Sequence, residues 1–383
     1  MEEEKEELDL RTPEVLDKYR TAAEIANRAL ATVVSEATPG KKIVDLCALG
    51  DKIINDGVAA VYNKGKIEKG VAFPTCISVD NCVGHFSPLK DDETVLQEGA
   101  LVKVDLGAHI DGFIATGAHS FIATTATEAI SGKKADVICA AHFAAECALR
   151  LFRPGNTNAQ ITEAIQKVAE SFKCNAVEGV LSHQMRRFVI DGNNVVINKE
   201  TLEQKVDAVT FEEYDVYCFD IVMSTGEGKA KETEVRPTVF KRAVEQNYLL
   251  KMKASRALFS EINKKFPTMP FSLRALEDER RAKLGITECL KHELLETYPV
   301  LYEKEGEYVA QFKFTALLLP NQTMRLISHP LPFVKSDFTI EDNATKALLN
   351  QGTKRSKKKK RAKKKAQGGD QAQEASMDTS AQE

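Results

Sequence analysis

Apolar side chains at helical spacing open the chain. Leu16, Tyr19, Ala23, Ala26, Leu30 and Val33 recur every three or four positions, which predicts a helix to near Glu36. Thr12-Pro13-Glu14 supplies its start: an N-cap hydroxyl, a proline at the first helical position and an acid in the first turn. A second helix follows from about Ile43, with Leu46, Leu49 and Ile53 inward. From Val71 the period changes. Cys76 to Val79 and Gly99 to Leu106 read as strands, with Val102, Val104 and Leu106 alternating against Leu101, Lys103 and Asp105. Gly107-Ala108-His109 is the expected bend, Ile110 to Ala115 the returning strand and Phe121 to Ala123 its continuation.

The helical period returns from Lys133 to Phe152, where Val137, Ala141, Ala144 and Ala148 share a face and Arg153-Pro154-Gly155 stops the run. Asn158 to Phe172 predicts another helix, Val216 to Val222 a strand, Leu249 to Phe266 an amphipathic helix, Leu273 to Leu295 a mostly helical stretch and Tyr308 to Leu319 a strand. The expected organisation is a disordered acidic segment over 1–11, an α+β domain over 12–335 with a helical insert near 245–300, and a flexible tail over 336–383.

Composition adds less than charge. Forty-three per cent of residues are apolar, as in an ordinary globular protein. The eight cysteines are scattered with no CxxC pair, so they read as buried thiols rather than zinc ligands or a redox pair. No apolar run is long enough to span a bilayer, and the acidic start lacks the marks of a secretory or mitochondrial leader. Residence in cytosol or nucleus is therefore expected. The formal net charge of −3 hides a split: residues 354–365 hold ten Lys and Arg in twelve positions with no acid, so removing them leaves −13 for the rest. Such a run predicts a polyanionic partner.

Three charges interrupt strand-like runs: Asp105, Asp220 and Lys313. His85, in Cys-Val-Gly-His-Phe-Ser-Pro, adds a possible base or ligand. In one reading these groups face water on half-exposed strands. In the other, strand carboxylates gather in a cleft around a metal or substrate, because burying a charge without a partner is costly.

Several blocks in order resemble one family. Gly70-Val-Ala-Phe-Pro-Thr, Cys82-Val-Gly-His-Phe-Ser-Pro, Val104-Asp-Leu-Gly-Ala-His-Ile-Asp-Gly, Ser224-Thr-Gly-Glu-Gly-Lys and Ala310-Gln-Phe-Lys-Phe-Thr-Ala-Leu-Leu-Leu-Pro are similar to the type II methionine aminopeptidases over roughly 12–335. The stretch 245–300 resembles their helical insert. The resemblance implies the pita-bread fold of the creatinase and aminopeptidase class. With its Lys-rich tail, the chain is most similar to the proliferation-associated, ErbB-binding nucleolar proteins, regarded as inactive relatives.

Active members hold two divalent metals with two Asp, one His and two Glu, and the metals activate water for peptide hydrolysis. By resemblance Asp105 matches the first Asp, while the second falls on Thr116, a poorer ligand. The His falls near His183, with a one-residue ambiguity. The first Glu falls on Asp220, one methylene shorter, and the second on Lys313, a cation. His85 matches a substrate-handling position; its plainer reading is a satisfied pocket histidine. The expectation is therefore a pocket without catalytic residues, metal or cofactor, in which Lys313 stands between Asp105 and Asp220 as their counter-charge.

The resemblance implies a non-catalytic partner of ribosomes, ribosomal RNA and other structured RNA, and of nuclear and signalling proteins. The expected roles are growth, ribosome biogenesis, translation and transcriptional corepression, in cytoplasm, nucleus and nucleolus, with no membrane partner. Nuclear targeting and phosphate contact fall to Lys354, Arg355, Lys357, Lys358, Lys359, Lys360, Arg361, Lys363, Lys364 and Lys365. Further RNA contacts are expected at Lys64, Lys66 and Lys69, and in the insert at Lys251, Lys253, Lys264, Lys265 and Arg274, against the alternative of a solvated helix face. The competing function is a metal-dependent methionine aminopeptidase with altered ligands.

Overall fold

A computed structural model describes residues 8–328 and 330–355. The chain runs α1 (Pro13–Glu36), α2 (Ile43–Ala59), β1 (Lys69–Val79), β2 (Ala100–Ile110), β3 (Phe113–Ala123), α3 (Lys133–Leu151) and α4 (Asn158–Ser171). Next come β4 (Asn175–Ala176), β5 (Leu181–Gln184), β6 (Val195–Ile197), β7 (Val216–Ser224), β8 (Lys231–Glu232) and β9 (Val239–Arg242). Then follow α5 (Lys253–Lys265), β10 (Phe271–Ser272), α6 (Glu279–Lys291), β11 (Leu295–Tyr298), β12 (Leu301–Tyr302), β13 (Val309–Leu319), β14 (Gln322–Arg325) and α7 (Asn343–Leu349). The main sheet is antiparallel, in the order β1-β2-β3-β13-β7-β5-β6, with β14 beside β13 and β4 beside β7.

Alternation sorts the sheet into two faces. Val102, Val104 and Leu106 of β2 pack with the α1–α2 side of the core, while Phe219 and Ile221 of β7 and Phe312 and Phe314 of β13 pack with the α3–α4 side. The alternate positions, Lys103, Asp105, Thr116, Ser120, Gln311, Lys313 and Asp220, fall on the opposite face by the period of two. Between β3 and β13 the ladder is short, pairing Lys313 with Ala118 and Phe314 with Gly117. Hydroxyls bridge the strands on either side: Ser120 Oγ donates to Gln311 O at 2.8 Å, and Thr315 Oγ1 donates to Thr116 O at 3.1 Å.

Four expectations need correction. The bend is not at Gly107: β2 runs to Ile110, and the turn is Asp111-Gly112, both at positive φ (55° and 77°). This is the Asp-Gly pair that a two-residue hairpin favours. A Cβ at Gly107 would meet Thr116 Cγ2 at 2.4 Å, so that glycine serves close packing rather than a turn. The insert is not simply helical. Helices α5 and α6 pack on a three-stranded sheet, β10-β9-β11, and 273–295 holds a 3₁₀ turn (Leu273–Ala275) before α6.

Order does not end near 335. Ser336 Oγ donates to Asp136 at 2.6 Å, Ile340 is buried, and α7 starts on an Asp342 cap and packs beside α3. Nor is 8–11 unstructured: Leu10 is buried and the Arg11 guanidinium lies 4.9 Å over the Tyr214 ring. The expected disorder of 1–7 and 356–383 lies outside the described residues. All eight cysteines are buried free thiols, and no helix among the described residues is long and apolar enough to cross a membrane.

Candidate functional site

Strand register builds the site in one row. Asp105 on β2 pairs with Ala118 on β3, Ala118 with Lys313 on β13, and Lys313 with Asp220 on β7. Registered neighbours point to the same face, and Ala118 is small enough for the Lys313 stem to pass over it to Asp105. Lys313 Nζ donates to Asp105 Oδ2 at 2.5 Å and stands 3.1 Å from Asp220 Oδ2. Gln311, two residues earlier on the same face, donates from Nε2 to Asp220 Oδ1 at 2.8 Å and reaches Asp105 Oδ2 at 3.5 Å. The Phe73 ring lies 5.0 Å from the ammonium, within cation–π range.

Asp105 is shut away from water, while Lys313 and Asp220 are partly buried in the wall of a pocket. Asp105 is 3 % exposed, and β2 is buried along its whole length. Burial alone pulls the Lys313 pKa down, but Asp105 and Asp220 outweigh it and hold the ammonium well above its ordinary value. Burial pushes the Asp105 carboxyl up to about 6, against the pull of Lys313, so it is still anionic at neutral pH.

The other positions complete the cavity of about 390 Å³. Thr116 Oγ1 lies 3.0 Å from Cys218 Sγ, whose thiol burial pushes up to about 12. His183, registered opposite Cys218, donates from Nδ1 to Gly192 O at 3.0 Å. His85 donates from Nδ1 to Pro299 O at 3.1 Å and packs edge-on against Tyr298; burial, then the Lys313 charge, bring its pKa down to about 4. Val83, Ile190 and Leu301 add apolar wall. Sequence reasoning missed Gln311, Phe73 and Cys218. Gln311 and Cys218 had a signal, since each stands two residues from a singled-out charge on its strand and so shares its face.

The donor set does not fit a pair of divalent metals. Asp105 and Asp220 carry two negative charges, and Lys313 cancels one of them between the two carboxylates. Thr116 offers a neutral hydroxyl turned toward a thiol. Among the described residues no group of three His, Cys, Asp or Glu stands where it could hold a metal ion. Repulsion between an ammonium and a unit positive charge at ~4 Å is about 4 kcal/mol at an effective dielectric near 20, and about double that for a dication.

The basic candidates scatter. Lys64, Lys66, Lys251, Lys253 and Lys264 are exposed. Lys69 is engaged by Val61 O and Asn63 Oδ1, and Lys265 is paired with Glu261 and Glu277 at 2.8 and 3.1 Å. Arg274 is no surface contact: it is buried, pairs with Asp51 at 2.6 Å and donates to Ser87 Oγ and Pro88 O, pinning the insert to α2 and the loop after β1. Lys354 bridges to Gln322, and Arg355 pairs with Glu213 at 2.7 Å. Lys357 to Lys365 lie outside the described residues.

The sequence model of metallopeptidase family M24 matches residues 17–232. The chain is 54 % identical over 380 residues to the ErbB-3 binding protein 1 of Solanum tuberosum, covering 98 % of this chain and 97 % of that one. It is 48 % identical over 354 residues to proliferation-associated protein A of Dictyostelium discoideum, covering 91 % and 92 %. Among solved structures, a thermophilic Arx1 superposes with a TM-score of 0.85 at 32 % identity, covering 90 % of this chain and all of that one. With its two-faced sheet and helical flanks, the chain has the pita-bread fold and belongs to metallopeptidase family M24, in the branch of the ErbB-3 binding and proliferation-associated proteins.

Proposed function

We propose that this chain is a non-catalytic M24 protein that works by binding RNA and ribosomes in the control of growth, ribosome biogenesis and translation, with transcriptional corepression as a further role. The observation that carries the reading is the Lys313 ammonium held between Asp105 and Asp220. The metals of an active relative would supply an activated water. Here Lys313 stands between the two carboxylates as their counter-charge and Gln311 donates to Asp220, while His85 is kept neutral by its surroundings. These residues leave the pocket able to accept a ligand but without a charge centre to activate water.

Relatives named for ErbB-3 binding and for proliferation support a growth-related role. The basic run 354–365 and exposed Lys64, Lys66 and Lys264 support contact with phosphates. The run also supports an address shared between cytoplasm, nucleus and nucleolus.

The test is elemental metal analysis, a Met-peptide assay and ribosome co-sedimentation on one preparation. The expected result is no stoichiometric metal, no turnover, and pelleting with ribosomes that weakens steeply with salt and on deletion of 354–365. Two bound metals with turnover would overturn the pocket reading; pelleting indifferent to salt and to the deletion would overturn the RNA reading. Lys313→Glu is expected to stay inactive, because Thr116 still provides no carboxylate; turnover in that single variant contradicts this account of the pocket.

A further inference from the structure

We propose that the outer face of the insert docks an acidic polypeptide segment carrying large apolar side chains. Leu249 is 87 % exposed and Leu284 is 70 % exposed, and Val244, Tyr248 and Met252 also stand out from the same region. Solitary exposed leucines are ordinary, but here the structure joins them. Leu284, Glu288 and His292 are spaced four apart along one stripe of α6 and its C-cap. The segment before α5 lies along that stripe: the Tyr248 ring stacks on His292 with centroids 3.5 Å apart, and the Lys251 and Met252 N–H groups donate to the Glu288 carboxylate at 2.8 and 3.1 Å.

The segment is held in place as well as exposed. Leu250 is buried in the insert core, and Arg256 Nη1 donates to Leu250 O and Lys251 O at 3.2 and 2.7 Å. Leu249 thus stands 87 % exposed in a segment whose neighbours on either side, Tyr248 and Lys251, are held to the α6 stripe that carries Leu284.

Charge selects the partner. Lys251 and Lys253 flank Met252, while Arg280, Arg281 and Lys291 flank Leu284 on α6. None of these five forms an ion pair among the described residues. Glu261, Glu277 and Glu279 are held by Lys265 and Lys283 and Glu288 accepts two backbone N–H groups, so the five cations outnumber Glu245, Glu288 and Glu293, neighbouring acids likewise without an ion pair among the described residues. Cations alone would suit phosphate equally well. Aliphatic side chains among them do not, because nucleic acid offers planar rings that stack on aromatic faces, and the Tyr248 ring is already stacked on His292. A helix or strand with carboxylates around apolar anchors satisfies both features. This assigns Lys251 and Lys253 to carboxylates rather than phosphates, and it stands independently of the pocket.

The test uses the full chain and fluorescence anisotropy with two probes: an acidic amphipathic peptide of ~16 residues with leucines at helical spacing, and a single-stranded RNA oligonucleotide. The peptide is expected to bind. The double variant Leu249→Ser, Leu284→Ser should weaken it by about tenfold or more while leaving RNA binding and the melting midpoint unchanged, since both side chains lie in water. Lys251→Glu with Lys253→Glu should weaken the peptide as well. Failure of the peptide to bind, or equal binding to the serine variant, overturns the proposal. Loss of RNA binding in the serine variant overturns it too, by assigning the face to RNA.

Discussion

Lys313 reaches Asp105 only because the intervening registered residue is Ala118. The ammonium is the partner of two carboxylates, so removing it matters more than its own burial suggests. Lys313→Met leaves Asp105 and Asp220 without a counter-charge and is expected to destabilise the fold by about 3–5 kcal/mol at pH 7. The sign with pH follows from Asp105, already raised to about 6 by burial. A carboxyl raised in the folded state stabilises most below its unfolded pKa and loses that contribution as pH rises through the folded one. Denaturant midpoints should therefore show a smaller deficit at pH 5 than at pH 7. A deficit that is absent at both values, or that grows on acidification, would contradict the ion-pair account. The three charges were legible as anomalies in strand-like runs, but their meeting was not, because it depends on register across four strands.

Two elements decide how the site is framed. The β2–β3 hairpin sets Asp105 against Ala118, and its turn needs Gly112: φ there is 77° and an added Cβ would lie 2.6 Å from the Phe188 ring. Gly112→Ala should cost about 2–3 kcal/mol, combining backbone strain with the clash, and urea unfolding would measure it. The insert is the second element. Arg274 ties it to Asp51, which also accepts the Thr75 N–H at 2.7 Å. Arg274→Ala leaves a half-enclosed carboxylate and should cost about 2–3 kcal/mol, below the value for a fully buried pair because Asp51 keeps some solvent. Amide exchange should quicken in the insert more than in the main sheet; uniform quickening would argue against Arg274 as the tether. The Asp-Gly turn was readable, and choosing Gly107 confused a glycine for close packing with one for positive φ. The insert strands were hidden because β10 is two residues long and gains its identity only beside β9.

At the scale of the molecule, buried histidine links stability to acid. His109 is buried, its Nδ1 accepts the Gly112 N–H at 3.3 Å, and burial brings its pKa down to about 4. A depressed folded pKa gives a contribution that is full above the unfolded pKa near 6.5 and lost as pH falls through about 4, worth at most about 3 kcal/mol. His109→Asn should flatten the fall in stability between those values, measured as the slope of unfolding free energy against pH; an unchanged slope would place the sensitivity elsewhere. The sequence by itself determined most helices, the long strands, the odd charges within them and the separation of an acidic body from a basic run. Those features rest on local period, capping and composition, which act within a few residues. Only the tertiary structure decided that Lys313 lies between Asp105 and Asp220, that Arg274 is a tether rather than a contact, and that Leu10 and α7 belong to the body. Each of these depends on groups far apart in the chain becoming neighbours, and local pattern cannot encode which distant partner satisfies a charge or covers an apolar face.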